Sequence, residues 1–315
     1  MTTQNFAIEL LSATIGMATP YLLAALGETF AERSGILNLG IDGIMLLGAF
    51  AGFVGALISA NIFFGLLLAI IAGGLLGFLM GFLSITIRGN QVISGLMIGT
   101  LATGLSIFLH KVIVGVRLIT PRVETIKPWP IPFLADVPII GPILFNQDPM
   151  AYMALLLVPI SSLILFRTNL GLKIRAVGEN PKASDTLGIN VFRIRYVCMG
   201  IAGTLAGLAG SYLSLGRIGF FTEGISGGRG WIALAIVIFG RWNPARVLLG
   251  SILFGGADAL QYRLQAMGGI LMGVYIPPEF LLMLPYLLTM VVLVFIYRGA
   301  GAPSALGRPY KRGVT

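Results

Sequence analysis

The sequence predicts an all-α fold, a polytopic bundle of transmembrane helices, and three observations carry that prediction. Hydrophobic residues make up 57% of the 315-residue chain and charged residues only 10%, with a mean hydropathy of +0.94. Soluble domains carry about 25% charged residues, so a water-soluble enzyme is excluded. Apolar windows long enough to cross a bilayer, about 20 residues, recur along the chain. The 43 glycines would weaken soluble helices, yet they suit membrane helices, where small residues let backbones approach.

The windows fall at 7–27, 35–58, 62–87, 91–114, 149–166, 194–216, 230–240, 246–266 and 279–297, so about eight to ten spanning segments are expected. Met1 to Asn5 carry no basic cluster, and the apolar stretch that follows is too long for a signal-peptide core, so the first helix is expected to stay. In the second window Asn38 and Asp42 are spaced i, i+4 among Gly35, Gly40 and Gly43. On one helix face they form either a polar patch on a solute pathway or an interhelical hydrogen bond that fixes packing. Gly73, Gly77 and Gly81 in the third window, and Gly203, Gly207 and Ser211 in the sixth, each give a flat face for close helix contact.

The fourth window opens on Asn90, a helix cap, followed by Gln91 and Ser94, which are placed to face the same cavity as Asn38. His110 and Lys111 near its far end read as an interfacial pair that snorkels to water. The seventh, Trp231 to Phe239, is too short to cross alone and reads as a half-helix continuing into irregular backbone shielded by protein. In the eighth, Asp258 lies near Gln261 and Arg263, and an internal ion pair with a basic residue accounts for it.

Charge sets the expected orientation. The balance of 21 basic to 12 acidic residues would suggest a nucleic-acid polymer as partner in a soluble domain, but here the basic residues sit between apolar windows and act as topology signals. Loop 167–195 is the richest, with Arg167, Lys173, Arg175, Lys182, Arg193 and Arg195. Placing it in the cytoplasm puts Arg33, Arg88, Arg241, Arg246, Arg298, Arg308, Lys311 and Arg312 on the same side. The N-terminus is then external, the C-terminus cytoplasmic and loop 115–148 external. That loop holds Pro121, Pro128, Pro130, Pro132, Pro138 and Pro142, which stiffen it as a lid, a docking surface or a plain connector. One cysteine and one histidine cannot supply a disulfide or a His-rich metal site, and no cofactor is expected.

Within loop 167–195, Asn180 as N-cap, Pro181 at the first helical position and Gly188 past the end predict a helix of about two turns. Such a helix on the cytoplasmic face can receive force from a separate motor, or lie on anionic lipid through its lysine and arginines. The stretch from Gly27 to Gly43, with Glu28, Glu32-Arg33-Ser34-Gly35, Asn38 and Asp42, and the loop from Arg175 through Gly178-Glu179-Asn180-Pro181 to Gly188-Ile189-Asn190 closely resemble permease subunits of ABC importers. The group is the one covering branched-chain amino acids, ribose and other simple sugars, and nucleosides, and the resemblance is greatest to its bacterial nucleoside or simple-sugar branch.

The resemblance implies a permease domain over 1–297 of the type II kind, a basic cytoplasmic tail over 298–315, and a bacterial inner-membrane location. It makes the loop helix a coupling helix: Gly178, Glu179, Asn180, Pro181, Lys182, Ala183, Ser184, Asp185, Leu187 and Gly188 would meet the cassette ATPase. Its other implied partners are a second permease subunit, identical or homologous, an extracellular solute-binding protein and membrane lipid. No Gly-x-x-x-x-Gly-Lys-Ser/Thr phosphate loop occurs in the chain, so ATP hydrolysis belongs to another polypeptide. The expected solute is neutral and polar, a nucleoside or simple sugar, passing Asn38, Asp42, Gln91 and Ser94. The rival is a proton-coupled secondary transporter using Asp42 or Asp258.

Overall fold

The structure, a computed structural model, describes residues 3–115, 120–268, 270–271, 274–275, 277–296 and 301–312. Arg298, one of the charges used to orient the chain, lies outside them. The described residues are almost entirely helical: α1 (Thr3–Arg33), α2 (Ile41–Ser59), α3 (Ile62–Gly81), α4 (Gln91–Ile113), α5 (Pro149–Arg167), α6 (Asn169–Glu179), α7 (Pro181–Thr186), α8 (Val191–Ser211), α9 (Arg229–Phe239), α10 (Pro244–Ala266), α11 (Pro278–Leu282) and α12 (Leu284–Ile296). Two antiparallel two-residue pairings accompany them: Trp129–Pro130 with Asn146–Gln147, and Ile270–Leu271 with Val274–Tyr275.

Six helical stretches are long and apolar enough to cross a membrane: Phe6–Arg33, Ile41–Ser59, Ile62–Thr86, Gln91–Ile113, Pro149–Arg167 and Val191–Ile218. The sequence windows thus resolve into these six, the half-length α9, the charged α10 with Arg246, Asp258 and Arg263, and a final window broken at Met283 into α11 and α12.

The glycine faces of the third and sixth windows meet each other. A Cβ added at Gly73 or Gly203 would collide with the other's carbonyl oxygen, and one at Gly77 would lie 2.9 Å from Gly203 Cα. Two backbones therefore touch along the α3–α8 crossing, which is how small residues drive helix association where lipid offers no hydrophobic gain. The same logic ties α2 to α8, because a Cβ at Gly48 would collide with the backbone of Gly207. The buried core runs through these helices and α1, from Tyr21, Leu22 and Leu23 to Phe50, Phe53, Met199 and Tyr212.

Two sequence expectations need correction. The window at 35–58 does not begin as a helix: α1 ends at Arg33, Gly35 turns the chain at φ +90, and helix resumes only at Ile41. Asn38 and Asp42 therefore share no helix face. His110 does not snorkel either. Its ring packs among Phe50, Phe53 and Phe221, with centroids 5.2–6.5 Å away, while Lys111 pairs with Glu223 at 3.7 Å.

Candidate functional site

The backbone between α1 and α2 leaves helical geometry while buried in the bundle, so its polar groups need partners from elsewhere. They find them in side chains. The Leu37 N–H donates to Gln91 Oε1 (2.8 Å), the Asn38 N–H to Glu28 Oε1 (3.1 Å), and the Gly40 N–H to Asn38 Oδ1 (3.2 Å). Asn38 Nδ2 donates to Glu28 Oε2 (3.3 Å). Glu28, Asn38 and Gln91 are fully buried and Ser94 nearly so. Of the four residues expected along a pathway, Asn38, Gln91 and Ser94 are thus interior: Asn38 and Gln91 brace the irregular segment instead of lining a path.

Asp42 is different, being only half-buried. Its Oδ1 accepts the Gly230 N–H (2.9 Å) and its Oδ2 the Ser226 hydroxyl (3.0 Å). Gly230 lies in the first turn of α9 and Ser226 just before it, where a carboxylate meets the positive end of the helix dipole. The chain enters α9 through a non-helical stretch containing Gly224, Gly227 and Gly228, all at positive φ. That stretch is anchored by a buried ion pair: Arg229 Nη2 lies 3.3 Å from Asp258 Oδ2 and 3.2 Å from the Tyr262 hydroxyl, and the Tyr21 hydroxyl donates to Asp258 Oδ2 (2.8 Å). Asp258 does form an internal ion pair, and Arg229 supplies it, whereas Arg263 pairs with Glu9.

Beside Asp42 lies a cleft of about 470 Å³, bounded by Leu39, Thr100, Thr103, Gly104 and Trp231. Its depth follows from α9, whose 11 residues separate Asp42 from the basic end of the bundle by about 16 Å, roughly half of a hydrocarbon core of about 30 Å. A carboxylate and two hydroxyls at that depth belong on an aqueous path or a protein contact and not against lipid.

At its far end α9 reaches the basic face through the turn before α10. Glu32 accepts the Trp242 indole N–H, and Arg33 donates to the carbonyls of Trp242 (3.1 Å) and Arg241 (3.4 Å). The loop helix docks at the same point. Gly178 lies so close to the Arg33 carbonyl that a Cβ there would collide with it. The predicted caps are in place: Asn180 Oδ1 accepts the Ala183 N–H (3.0 Å), Pro181 opens α7, and Gly188 sits at φ +80.

Lys182, Ala183, Leu187 and Gly188 face outward, with Leu187 81% exposed. The other expected contacts are already engaged. Ser184 is buried, its hydroxyl donating to the Asn180 carbonyl (2.9 Å), and Gly178 is covered by α1. Glu179 accepts from the Ser304 hydroxyl (2.9 Å), and Asp185 pairs with Arg312 (3.1 Å). Residues 301–312 therefore lie against the loop as a strap. Ala305 N–H donates to Gly178 (2.9 Å), Gly307 N–H to Gly35 (3.2 Å), and the buried Arg195 bridges the carbonyls of Ser34 (3.2 Å) and Arg308 (3.4 Å). Tyr310 joins the small core of Phe30, Ile174 and Cys198; burial and the Asp185 carboxylate push its phenol above the usual value.

Sequence reasoning gives no site role to Glu28, Glu32, Arg229, Thr100, Thr103 or Trp231. The available signal for the first pair was two carboxylates one turn apart directly after the first apolar window, where the bilayer would not tolerate them unpaired. The threonines carried no signal, since their hydroxyls can bond their own helix anywhere.

A family model described as branched-chain amino acid transport system / permease component matches residues 10–293. TsgC13 of Haloferax volcanii, provisionally named a glucose ABC transporter permease protein, is 41% identical, covering 98% of this chain and 99% of its own. NupQ of Bacillus subtilis, a guanosine ABC transporter permease protein, is 38% identical with 96% of each chain covered. NupC of Lactococcus lactis, a nucleoside ABC transporter permease protein, is 37% identical with 93% of each covered. Among solved structures, one described as a metal-chelate type ABC transporter in an inward-facing conformation matches with a TM-score of 0.51 at 16% identity, over 91% of this chain and 85% of that one. At that identity the likeness concerns the fold alone.

Proposed function

The chain belongs to the branched-chain amino acid transport system / permease component family, a membrane-embedded permease subunit and not the ATPase, and from that premise we propose that it carries a neutral polar solute, a nucleoside or a simple sugar, inward across the membrane. The observation that carries this reading is Asp42, a half-buried carboxylate held beside a cleft by the chain entering α9. Relatives named for guanosine, nucleosides and glucose support the solute class. Scarce charge along the path suits an uncharged solute.

Membership implies a cassette ATPase and a solute-binding protein as partners. Our reading adds a second permease, identical or homologous. It also sets the basic face with α7 in the cytoplasm of a bacterial cell, the N-terminus outside, and loop 115–148 toward the binding protein. Closure of the cassettes would push α7. The push passes through Gly178 to the end of α1 and the Arg241–Trp242 turn, and then along α9 to Asp42. Each link is a backbone contact or a hydrogen bond, so on this reading the cleft would move with the loop. A proton-driven mechanism is less well supported, since Asp258 is held by Arg229 and Tyr21 and Asp42 by Ser226 and Gly230.

Leu187→Glu tests the coupling. A charge at this exposed apolar contact should weaken docking by about 2–5 kcal/mol, so co-purification of the cassette ATPase and solute-stimulated ATP hydrolysis in liposomes should both fall sharply. Solute binding to the separate binding protein should not change. Both activities at the wild-type level would remove α7 from the coupling role and leave it a lipid-surface helix.

A further inference from the structure

The cleft carries a chemical selectivity of its own, because each side-chain oxygen lining it is arranged as an acceptor. Thr100 donates its one hydroxyl hydrogen to the Leu96 carbonyl (3.0 Å) and Thr103 donates its own to the Gly99 carbonyl (2.9 Å). Each hydroxyl is then left with only lone pairs to offer. Asp42 receives one hydrogen bond on each oxygen, which leaves about two of its roughly four lone-pair sites open. No lysine, arginine or histidine lines the space, while Trp231 contributes a half-exposed indole. Arg229, two residues before Trp231, is held by Asp258 and Tyr262.

Acceptors crowded beside a carboxylate repel a phosphate or carboxylate and match hydroxyl and N–H donors. The volume, about 470 Å³, lies within the usual range of roughly 300–1,000 Å³ for small-molecule pockets. We infer that the cleft formed by Asp42, Thr100, Thr103 and Trp231 is the solute-recognition site of this permease, selecting uncharged ring solutes that present several hydrogen-bond donors and turning away anionic ones. The inference rests on the permease reading above and assigns its selectivity to four named side chains. Binding-protein specificity then acts first, and this cleft acts again at mid-membrane.

The test is ATP-driven uptake into proteoliposomes by the assembled importer, with cassette, partner permease and binding protein, using radiolabelled guanosine, glucose and leucine as probes. Import of guanosine or glucose without leucine is expected from the wild type. Import of leucine alone would overturn the solute class and this inference together. In Thr100→Val/Thr103→Val, which keeps shape and removes both lone-pair acceptors, initial uptake of the accepted probe should fall about tenfold while all subunits still co-purify. Uptake at the wild-type rate would overturn the acceptor site and leave the permease reading standing. Loss of the partner permease from the purified variant would also overturn it, making the cleft a contact between subunits.

Discussion

The α3–α8 crossing and the irregular segments before α2 and before α9 both lie within the bundle, yet they are held in different ways. At the crossing, Gly73, Gly77, Gly203 and Gly207 bring two backbones together with no side chain between them. Around 34–40 and 225–230 backbones also come close, at Gly40 beside Gly95 and Gly230 beside Asp42, but there the amides are taken up by the side chains of Glu28, Gln91 and Asp42. Contact between regular helices is short-ranged and has no second arrangement nearby, whereas hydrogen bonds to a non-helical segment can be exchanged one at a time. On our reading the crossing is scaffold and the hydrogen-bonded segments are the part that moves, with the cleft beside Asp42 bordering them.

The largest expected effect comes from filling the crossing. Gly203→Val would drive a branched side chain into the Gly73 carbonyl and the Gly77 backbone, which cannot yield as a flexible side chain would. A cost of about 3 kcal/mol or more is expected, seen as lost monodispersity and a lower melting temperature in detergent. A normal melting temperature would show that the crossing is looser than its geometry.

A smaller effect is expected from Glu28→Ala. It strips the partners from the Asn38 N–H and amide at a cost of about 1–3 kcal/mol. The bundle should still assemble with its cassette, while uptake in liposomes drops well below wild type. If stability fell as far as in Gly203→Val, both regions would be scaffold and the contrast would fail.

The smallest effect sharpens the contrast on the basic face. Arg312 pairs with Asp185 in the open, and such pairs are worth about 0.2–1 kcal/mol. Arg312→Ala should therefore shift the melting temperature little, and the shift should vanish at high salt, where exposed charges are screened. A large, salt-insensitive loss would mean that this terminal pair carries the strap, in place of the buried Arg195 and Tyr310.

How far the sequence could be read follows the same division. Gly73 and Gly203 could be found because regular helices repeat, so spacing alone predicted two flat faces, and Asn180, Pro181 and Gly188 marked a helix whose ends have strong local preferences. The break at 34–40 was hidden inside an apolar window, because hydropathy does not distinguish a helix from an extended strand of the same residues. Asn38 was placed on a pathway for that reason, although its amide serves Glu28 and Gly40. Ser184 and Gly178 were expected at a partner's surface and instead pack inward, since a six-residue helix must spend one side on its own protein. Thr100 and Thr103 could be identified only once α2 and α9 had been brought beside them.

The bond from Leu37 to Gln91 spans 54 residues, and this fixes an order in time. At a synthesis rate of about 5–20 residues per second, Gln91 leaves the ribosome about 3–11 s after Leu37. Throughout that interval the segment after α1 has no internal partner for that amide and cannot rest in hydrocarbon. It must wait at a wet or proteinaceous site until α4 arrives, so the α1–α2 hairpin is inserted first and finished later. The Ala305 amide reaches Gly178 only when nearly the whole chain has been made, which makes the strap a seal laid over a completed bundle.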